Sequence, residues 1–463
     1  MLTFFDRHGR LGRRDFLRIG GLGLGGLTLP QLLSWQAAAA EDRPAFVKDK
    51  SVVFLFLQGG PSQFETFDPK MNAPTGIHST TGETATKLSG VTFGATFKRL
   101  AALADKLSVV RSYQSGNGNH DIKPIVCKES LGANLGSLYA RLAGTNRPAS
   151  GMPTNAAIFP RAVDPTTGAA QEGFGKFGAT GSLGSAYAPF TPGGGGDLQK
   201  DMQLTLGRDR LDDRRELLGE LDRAQRARDT AGESVSHFQD QAFQTIVGGV
   251  AKAFDLSRED PKTIARYDTA PLVAPDQISR KWHNYNHYVD NAKTLGKLLL
   301  LARRLCEQGC GFVTVTTNFV WDMHADENNC GCEEGMTYTG LPLDHAVSAF
   351  IEDCAARGLS EKILLVVSGE MGRTPSVNKN GGRDHWGNLT PLLLSGGGLP
   401  TGQVIGQSTR NGGEPATEPL GISHLLGTIM HTLFDLGTVR TTRGLPTDLV
   451  QALTGWTPIP GLV

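Results

Sequence analysis

The chain has 463 residues, a formal net charge of zero, 39% apolar residues and 59 glycines. That length fits one large α/β domain with insertions, or two domains, and the apolar share is enough for a core joined by many loops and turns. Zero net charge excludes a general nucleic-acid binder, which needs a basic surface to neutralise phosphates.

Residues 1–40 read as an export signal. Gly12-Arg13-Arg14-Asp15-Phe16-Leu17-Arg18 resembles a twin-arginine (Tat) signal, a weakly apolar, glycine-rich run follows over 19–33, and four alanines at 37–40 offer a small-residue cleavage site. The run is too short and too rich in glycine to span a membrane comfortably, so no stable transmembrane segment is expected in the mature chain. Five arginines against Asp6 and Asp15 give the signal +3 and leave the mature chain at about −3. The signal implies the Tat export machinery as a partner and a periplasmic or cell-envelope location. Six cysteines follow: Cys127, Cys306, Cys310, Cys330, Cys332 and Cys354. In an oxidising compartment one or two disulfides are expected to steady a loop, the rest being buried thiols. Cys330-Gly-Cys332 is too tightly spaced for a zinc knuckle.

Residues 51–57 (SVVFLFL) have the length and near-total apolarity of a parallel strand buried on both faces. The turn Gln58-Gly59-Gly60-Pro61-Ser62-Gln63 ends it, and its glycines let the backbone approach a ligand. An amphipathic helix is expected over 97–107 and a short strand over 107–111. The exit of that strand carries Ser112, Ser115, Asn119, His120 and Asp121. A helix expected over 122–131 puts His120 near a helix N-terminus, a place that meets anions or metals.

Residues 132–280 read as an insertion. It holds a glycine-rich loop at 168–196, a charged helix at 201–229 with a stripe of Leu211, Leu217, Leu218 and Leu221, and a further helix at 238–256. A long helix over 291–308 then leads to a strand over 312–317, whose exit carries Asp322 and His324. Two apart in extended backbone, these point to the same side, and a carboxylate beside an imidazole suits a divalent ion. A helix over 342–357 precedes a strand over 362–367 that runs out into Ser368-Gly369-Glu370-Met371-Gly372-Arg373. The loop after it closes on Arg383-Asp384-His385-Trp386, before strands at 391–394 and 402–406 and helices at 421–436 and 447–453. Alternating strands and helices predict an α/β fold with a largely parallel sheet. The polar clusters at 58–63, 112–121, 318–329 and 368–386 all follow strands, where such sheets bind ligands, so one composite site is expected.

Several pieces resemble the exported family catalogued as domain of unknown function 1501, related to the sulfatase and alkaline-phosphatase-like superfamily. They are FLFLQGGPSQFETFDPK at 54–70, Asn119-His120, WDMHADENN at 321–329, GEMGRTP at 369–375, GRDHW at 382–386 and LLLSGGGLPTGQVIG at 392–406. The resemblance implies an alkaline-phosphatase-like three-layer α/β sandwich over 41–463, with its helical and loop insertion at about 132–280. It implies one or two divalent metals at strand ends, with Asp322, His324, Glu370 and His385 as ligands and Zn, Ca, Mn or Mg left open. The sequence departs from the superfamily in the spacing of Asp322 and His324, where Asp-x-x-x-His is usual, and in Met371, where a histidine usually follows the carboxylate; two further departures matter more. Its first strand ends in Gln58 where a metal-binding Asp is usual, and no Ser, Thr or Cys stands in register at Asn119-His120 as nucleophile. Ser62, Ser112 and Ser115 are candidates by proximity alone. The family itself implies no known reaction; the chemistry of these residues points to hydrolysis of sulfate or phosphate esters, of small molecules or glycans, by metal-activated water. His120, Arg373 and Asp384 are the candidate catalytic residues, with His120, or an unligated His385, as general acid or base and Arg373 as the fork that pairs with the ester's anionic oxygens; the alternative for Arg373 is a structural ion pair with Asp384 or Glu370. The alternative is a non-catalytic exported binding or envelope-associated protein on the same fold.

Overall fold

The computed structural model describes residues 5–6, 9–10, 43–192 and 251–463. The chain divides into two units, Met1–Pro44 and Ala45–Val463. In the first, Phe5–Asp6 pairs antiparallel with Gly9–Arg10. The remainder of the expected Tat-type signal and the helix expected over 201–229 lie outside the described residues, as does all of the 238–256 helix before Ala251.

The second unit is organised on a seven-stranded sheet. Its strands are β1 (Ser51–Phe56), β2 (Ser108–Val110), β3 (Asn155–Ile158), β4 (Phe312–Thr316), β5 (Ile363–Ser368), β6 (Leu392–Gly396) and β7 (Gln403–Ile405). Their order across the sheet is β7-β2-β6-β5-β1-β4-β3. β1 is parallel to β4 and β5, β3 is parallel to β4, and β7 is parallel to β2. β6 is antiparallel to both of its neighbours, β5 and β2, so it alone opposes the common direction.

Because strand side chains alternate between faces, β1 feeds two separate cores. Val53, Leu55 and Leu57 enter one, and Val52, Phe54 and Phe56 the other. The covering helices are α1 (Leu135–Ala143), α2 (Tyr285–Glu307), α3 (Leu341–Ala356), α4 (Ile422–Leu433) and α5 (Thr447–Gly455). α2 and α3 pack Leu298, Leu301, Val347 and Phe350 into the first core. α1, α4 and α5 pack Leu138, Leu425, Ile429 and Leu449 into the second. Each such side chain contributes about 1.5–3 kcal/mol on burial. The result is the expected α/β architecture, helices on both faces of a largely parallel sheet. No helix of the described residues is long and apolar enough to cross a membrane.

Other expectations give way. Residues 122–131 form turns, not a helix. Pro124 has no N–H to give a helical ladder, and the helix begins only at α1, where Asn134 Oδ1 accepts the N–H of Gly136 at 2.8 Å. The stretch read as an insertion contributes to the central architecture, since it carries α1 and the strand β3, whose Asn155–Ile158 pairs with β4. The expected disulfides are not formed: all six thiols are free, and Cys330 Sγ instead donates to the Tyr288 hydroxyl at 3.2 Å.

Candidate metal centre

β1, β2, β4 and β5 share one direction, so the loops leaving their C-terminal ends gather at one end of the sheet. Two glycines let them close up. Gly59 has a φ of +114°, and a Cβ on it would stand 2.6 Å from the Asp322 nitrogen. Only glycine therefore allows the β1 exit to lie on residues 321–322, where the Gln58 carbonyl accepts the N–H of Trp321 at 3.1 Å. A Cβ on Gly382 would stand 2.2 Å from the His324 carbonyl, so this glycine lets the loop after β5 reach the β4 exit. The short antiparallel ribbon of Gly372–Arg373 with His385–Trp386 then presents His385.

These loops bring His120, Asp322, His324 and His385 together, with one ligand atom of each within 4.8 Å of the others. Asp322 Oδ1 is the focus. It lies 2.9 Å from His324 Nε2 and 3.4 Å from Nε2 of both His120 and His385. Nε2 of His120 and of His385 are buried without a hydrogen-bond partner. Two outer nitrogens are held by carboxylates: His120 Nδ1 is 3.0 Å from Glu370 Oε1, and His324 Nδ1 is 3.2 Å from Asp384 Oδ1. A carboxylate on Nδ1 fixes the tautomer that leaves the Nε2 lone pair to act as a ligand, the usual support of a metal-binding imidazole; in His324 that Nε2 also lies 3.2 Å from Arg373 Nη1. The donor set therefore fits a metal ion, and three imidazole nitrogens with one carboxylate suit a borderline ion better than a hard one.

The electrostatics follow from the same contacts. Burial opposes protonation of His120, but the Asp322 and Glu370 carboxylates outweigh it and push its pKa up to about 9. Burial also opposes the charge on Asp322, yet Arg373 and the three histidines hold that carboxyl well below the usual carboxylate range.

Of the residues expected as metal ligands, Asp322, His324 and His385 stand in the cluster, and His120, expected in catalysis, joins them. Glu370, also expected as a ligand, stands behind His120. Its Oε1 accepts from the imidazole and from the N–H of Gly59, while its buried Oε2 has no hydrogen-bond partner. Asp384, expected in catalysis, is exposed and pairs with His324.

Arg373, expected as the fork for an anion, is engaged within the chain. Its side chain is 1% exposed, and its donors are taken up within the chain. Nε donates to the Gly60 carbonyl at 2.7 Å, Nη1 to the Arg383 carbonyl at 3.2 Å, and Nη2 to Asp322 Oδ1 at 2.6 Å and the Trp321 carbonyl at 3.2 Å. Nη2 also bonds the Gly59 carbonyl. The guanidinium ties three exit loops together and has no open fork for an anion.

Ser62 and Ser115 are engaged elsewhere, with Glu65 and Thr390, and Ser112 is fully buried. Sequence reasoning gave no role to Gln63 or Glu65. Gln63 brackets Arg373, donating from Nε2 to its carbonyl at 2.8 Å and accepting its N–H at 2.9 Å. Glu65 forms a fully buried ion pair with Arg383 at 3.0 Å. The place of Gln63 in the glycine turn was a signal for it; Glu65 offered none.

The family described as Protein of unknown function (DUF1501) matches residues 49–452. No curated protein matches the chain. Among solved structures it is similar to the PsFucS1 sulfatase from Pseudoalteromonas sp., at 10% identity over 87% of this chain and 70% of that one, with a TM-score of 0.35. It is similar to Ps i-CgsB at 10% identity, 88% and 77% coverage and a TM-score of 0.33. It is also similar to the phosphonate monoester hydrolase SpPMH from Silicibacter pomeroyi, at 10% identity, 89% and 78% coverage and a TM-score of 0.31. Likenesses at these scores say nothing of the chemistry, which rests on the side chains.

Proposed function

Because the chain belongs to the DUF1501 family, described only as of unknown function, we propose its role from the site itself: metal-dependent hydrolysis of sulfate or phosphate esters, with zinc as the favoured ion. The observation that carries this reading is the convergence of His120, Asp322, His324 and His385 within 4.8 Å. These four side chains would hold the ion. A divalent ion there supplies positive charge to an ester's oxygens and lowers the pKa of water, which is what a site without a poised side-chain nucleophile needs. Glu370 and Asp384 keep the Nδ1 protons of His120 and His324 in place and so aim both imidazoles. Arg373 keeps Asp322 ionised and fixes the loop that carries it. The substrate would be a small-molecule or glycan ester.

The commitment of every Arg373 nitrogen to partners within the chain favours a second reading, a non-catalytic exported binding protein, because no guanidinium remains for the ester's anionic oxygens. Metal analysis of the purified mature chain, with turnover of phenyl sulfate and phenyl phosphate, separates the two. One zinc per chain and turnover that is lost in a His324→Ala, His385→Ala double variant is the expected result. Metal without turnover of either ester leaves the binding protein, and no stoichiometric metal sinks the hydrolase.

Export by the Tat route to the periplasm or cell envelope is part of the same proposal, supported by Arg13-Arg14 followed by Phe16-Leu17 and by the alanines at 37–40. An Arg13→Lys, Arg14→Lys variant should stay in the cytoplasm with its signal uncleaved; normal export of that variant would rule the route out.

A further inference from the structure

The glycine-rich loop expected over 168–196 begins as a wall beside the histidines, and it is well anchored. The N–H of Gly168 donates to Asp290 Oδ2 at 3.0 Å. The Gln171 carbonyl accepts from Gln58 Nε2 at 3.2 Å, and Gln171 Nε2 lies 3.2 Å from His287 Nε2. Further on, the Phe177 carbonyl accepts from Asn134 Nδ2 at 3.0 Å. Between these ties stands Phe174, which is 40% exposed and the one aromatic among the exposed large hydrophobic side chains of the described residues.

Phe174 is not a stray surface side chain. Its ring stacks on Phe319, with centroids 4.8 Å apart and planes at 28°, and lies 5.0 Å from the ring of His120. Phe319 is buried and meets the His120 ring edge-on at 4.8 Å. A two-ring stack thus starts under a metal-site histidine and ends in a partly open ring. The anionic half of a sulfate or phosphate ester has no use for such a surface. The leaving group does, because a phenylalanine stack is extended by a further flat apolar face.

We propose that Phe174 and Phe319 form a ring-binding subsite beside the histidine cluster, which takes the leaving group of the ester by a flat apolar face, an aryl ring or a pyranose. The proposal rests on the reading of the cluster as a metal-dependent ester site. It makes Phe174 the residue that selects among esters by what lies beyond the ester oxygen.

The test uses the full mature chain loaded with zinc and two non-hydrolysable probes, phenylphosphonate and methylphosphonate, titrated by calorimetry. Phe174→Ala should weaken phenylphosphonate about three- to tenfold more than methylphosphonate, the worth of one aromatic contact. Phe174→Tyr should restore the difference, and an unchanged zinc content in both variants reports that the histidine cluster is intact. In kinetics, the loss of kcat/KM on Phe174→Ala should be larger for phenyl sulfate or glucose 6-sulfate than for ethyl sulfate, and the more affected of the two names the ring. Equal weakening of both phosphonates, or a wild type that binds phenylphosphonate no tighter than methylphosphonate, overturns the subsite. Discrimination between the phosphonates with no turnover of any ester keeps the subsite and removes the hydrolase.

Discussion

Nδ1 of His120 lies 3.0 Å from Oε1 of Glu370, and the same oxygen accepts the N–H of Gly59 at 2.8 Å. One carboxylate therefore sets both an imidazole of the cluster and the loop leaving β1. Glu370→Gln keeps the shape and removes the charge. Zinc affinity should fall about 10–100-fold, as for other carboxylates that back a ligand histidine, in a competition titration against a chelator. An unchanged affinity would strip Glu370 of its supporting role.

Asp384 makes the equivalent contact to His324, but its side chain is 62% exposed. Solvent screens that pair, and exposed pairs are worth only about 0.2–1 kcal/mol. Asp384→Asn should lower zinc affinity less than Glu370→Gln in the same titration. The reverse ranking would contradict the view that burial decides which carboxylate matters.

Gly59 should not tolerate a side chain. Its φ of +114° is strained for any other residue, and a Cβ would meet the Asp322 nitrogen at 2.6 Å. The backbone strain alone costs about 1–3 kcal/mol. Gly59→Ala should show a lower urea midpoint together with weakened zinc binding, because the displaced backbone carries Asp322. A variant with wild-type values for both would mean that the β1 exit can move without cost.

Arg373 and Asp322 form a buried pair at 2.6 Å. Removing one partner of such a pair costs about 3–5 kcal/mol. Arg373→Met should therefore be strongly destabilised in urea, and Arg373→Lys should recover only part of the loss because an ammonium cannot reach three loops with a planar fork. Full recovery by lysine would show that charge alone is needed.

A stability effect of pH is expected outside the metal centre. Burial opposes the charge on Glu259, but Arg303, Arg304 and Arg357 outweigh it and push its pKa down to about 2. A depressed carboxyl contributes stability above its unfolded pKa, near 4.5, and loses it as the pH falls toward 2. Stability measured across that window should fall more steeply in the wild type than in Glu259→Gln. Parallel curves would mean that Glu259 has no part in acid unfolding.

The sheet was legible because its strands are long apolar runs, and 51–57 and 362–367 could hardly be anything else. The convergence of loops was legible because polar clusters tracked strand exits. The division of labour inside the site was not. Glu370 and His385 both sit on one loop, and nothing local in its sequence tells that the carboxylate backs His120 while the imidazole faces Asp322. Arg373 looked available because a sequence cannot count the carbonyls that will surround a guanidinium. Glu65 and Arg383 pair across 318 positions, with no local pattern to announce them. The helix expected over 122–131 gives way because Pro124 has no N–H for a helical ladder and the helix begins only after the Asn134 cap.

Because β6 opposes its neighbours, its first residue, Leu392, pairs with the last residue of β5, Ser368. The chain between them, residues 369–391, leaves and rejoins the sheet at one end without crossing it. Glu370, Arg373, Arg383, Asp384 and His385 all ride on that excursion. It is rooted in two adjacent strands, and two buried guanidiniums also tie it down, Arg373 to Asp322 and Arg383 to Glu65, so a replacement segment has to keep both. A chimaera that swaps residues 369–391 while keeping Arg373 and Arg383 would exchange His385 and the carboxylates behind His120 and His324, and leave His120, Asp322 and His324 in place.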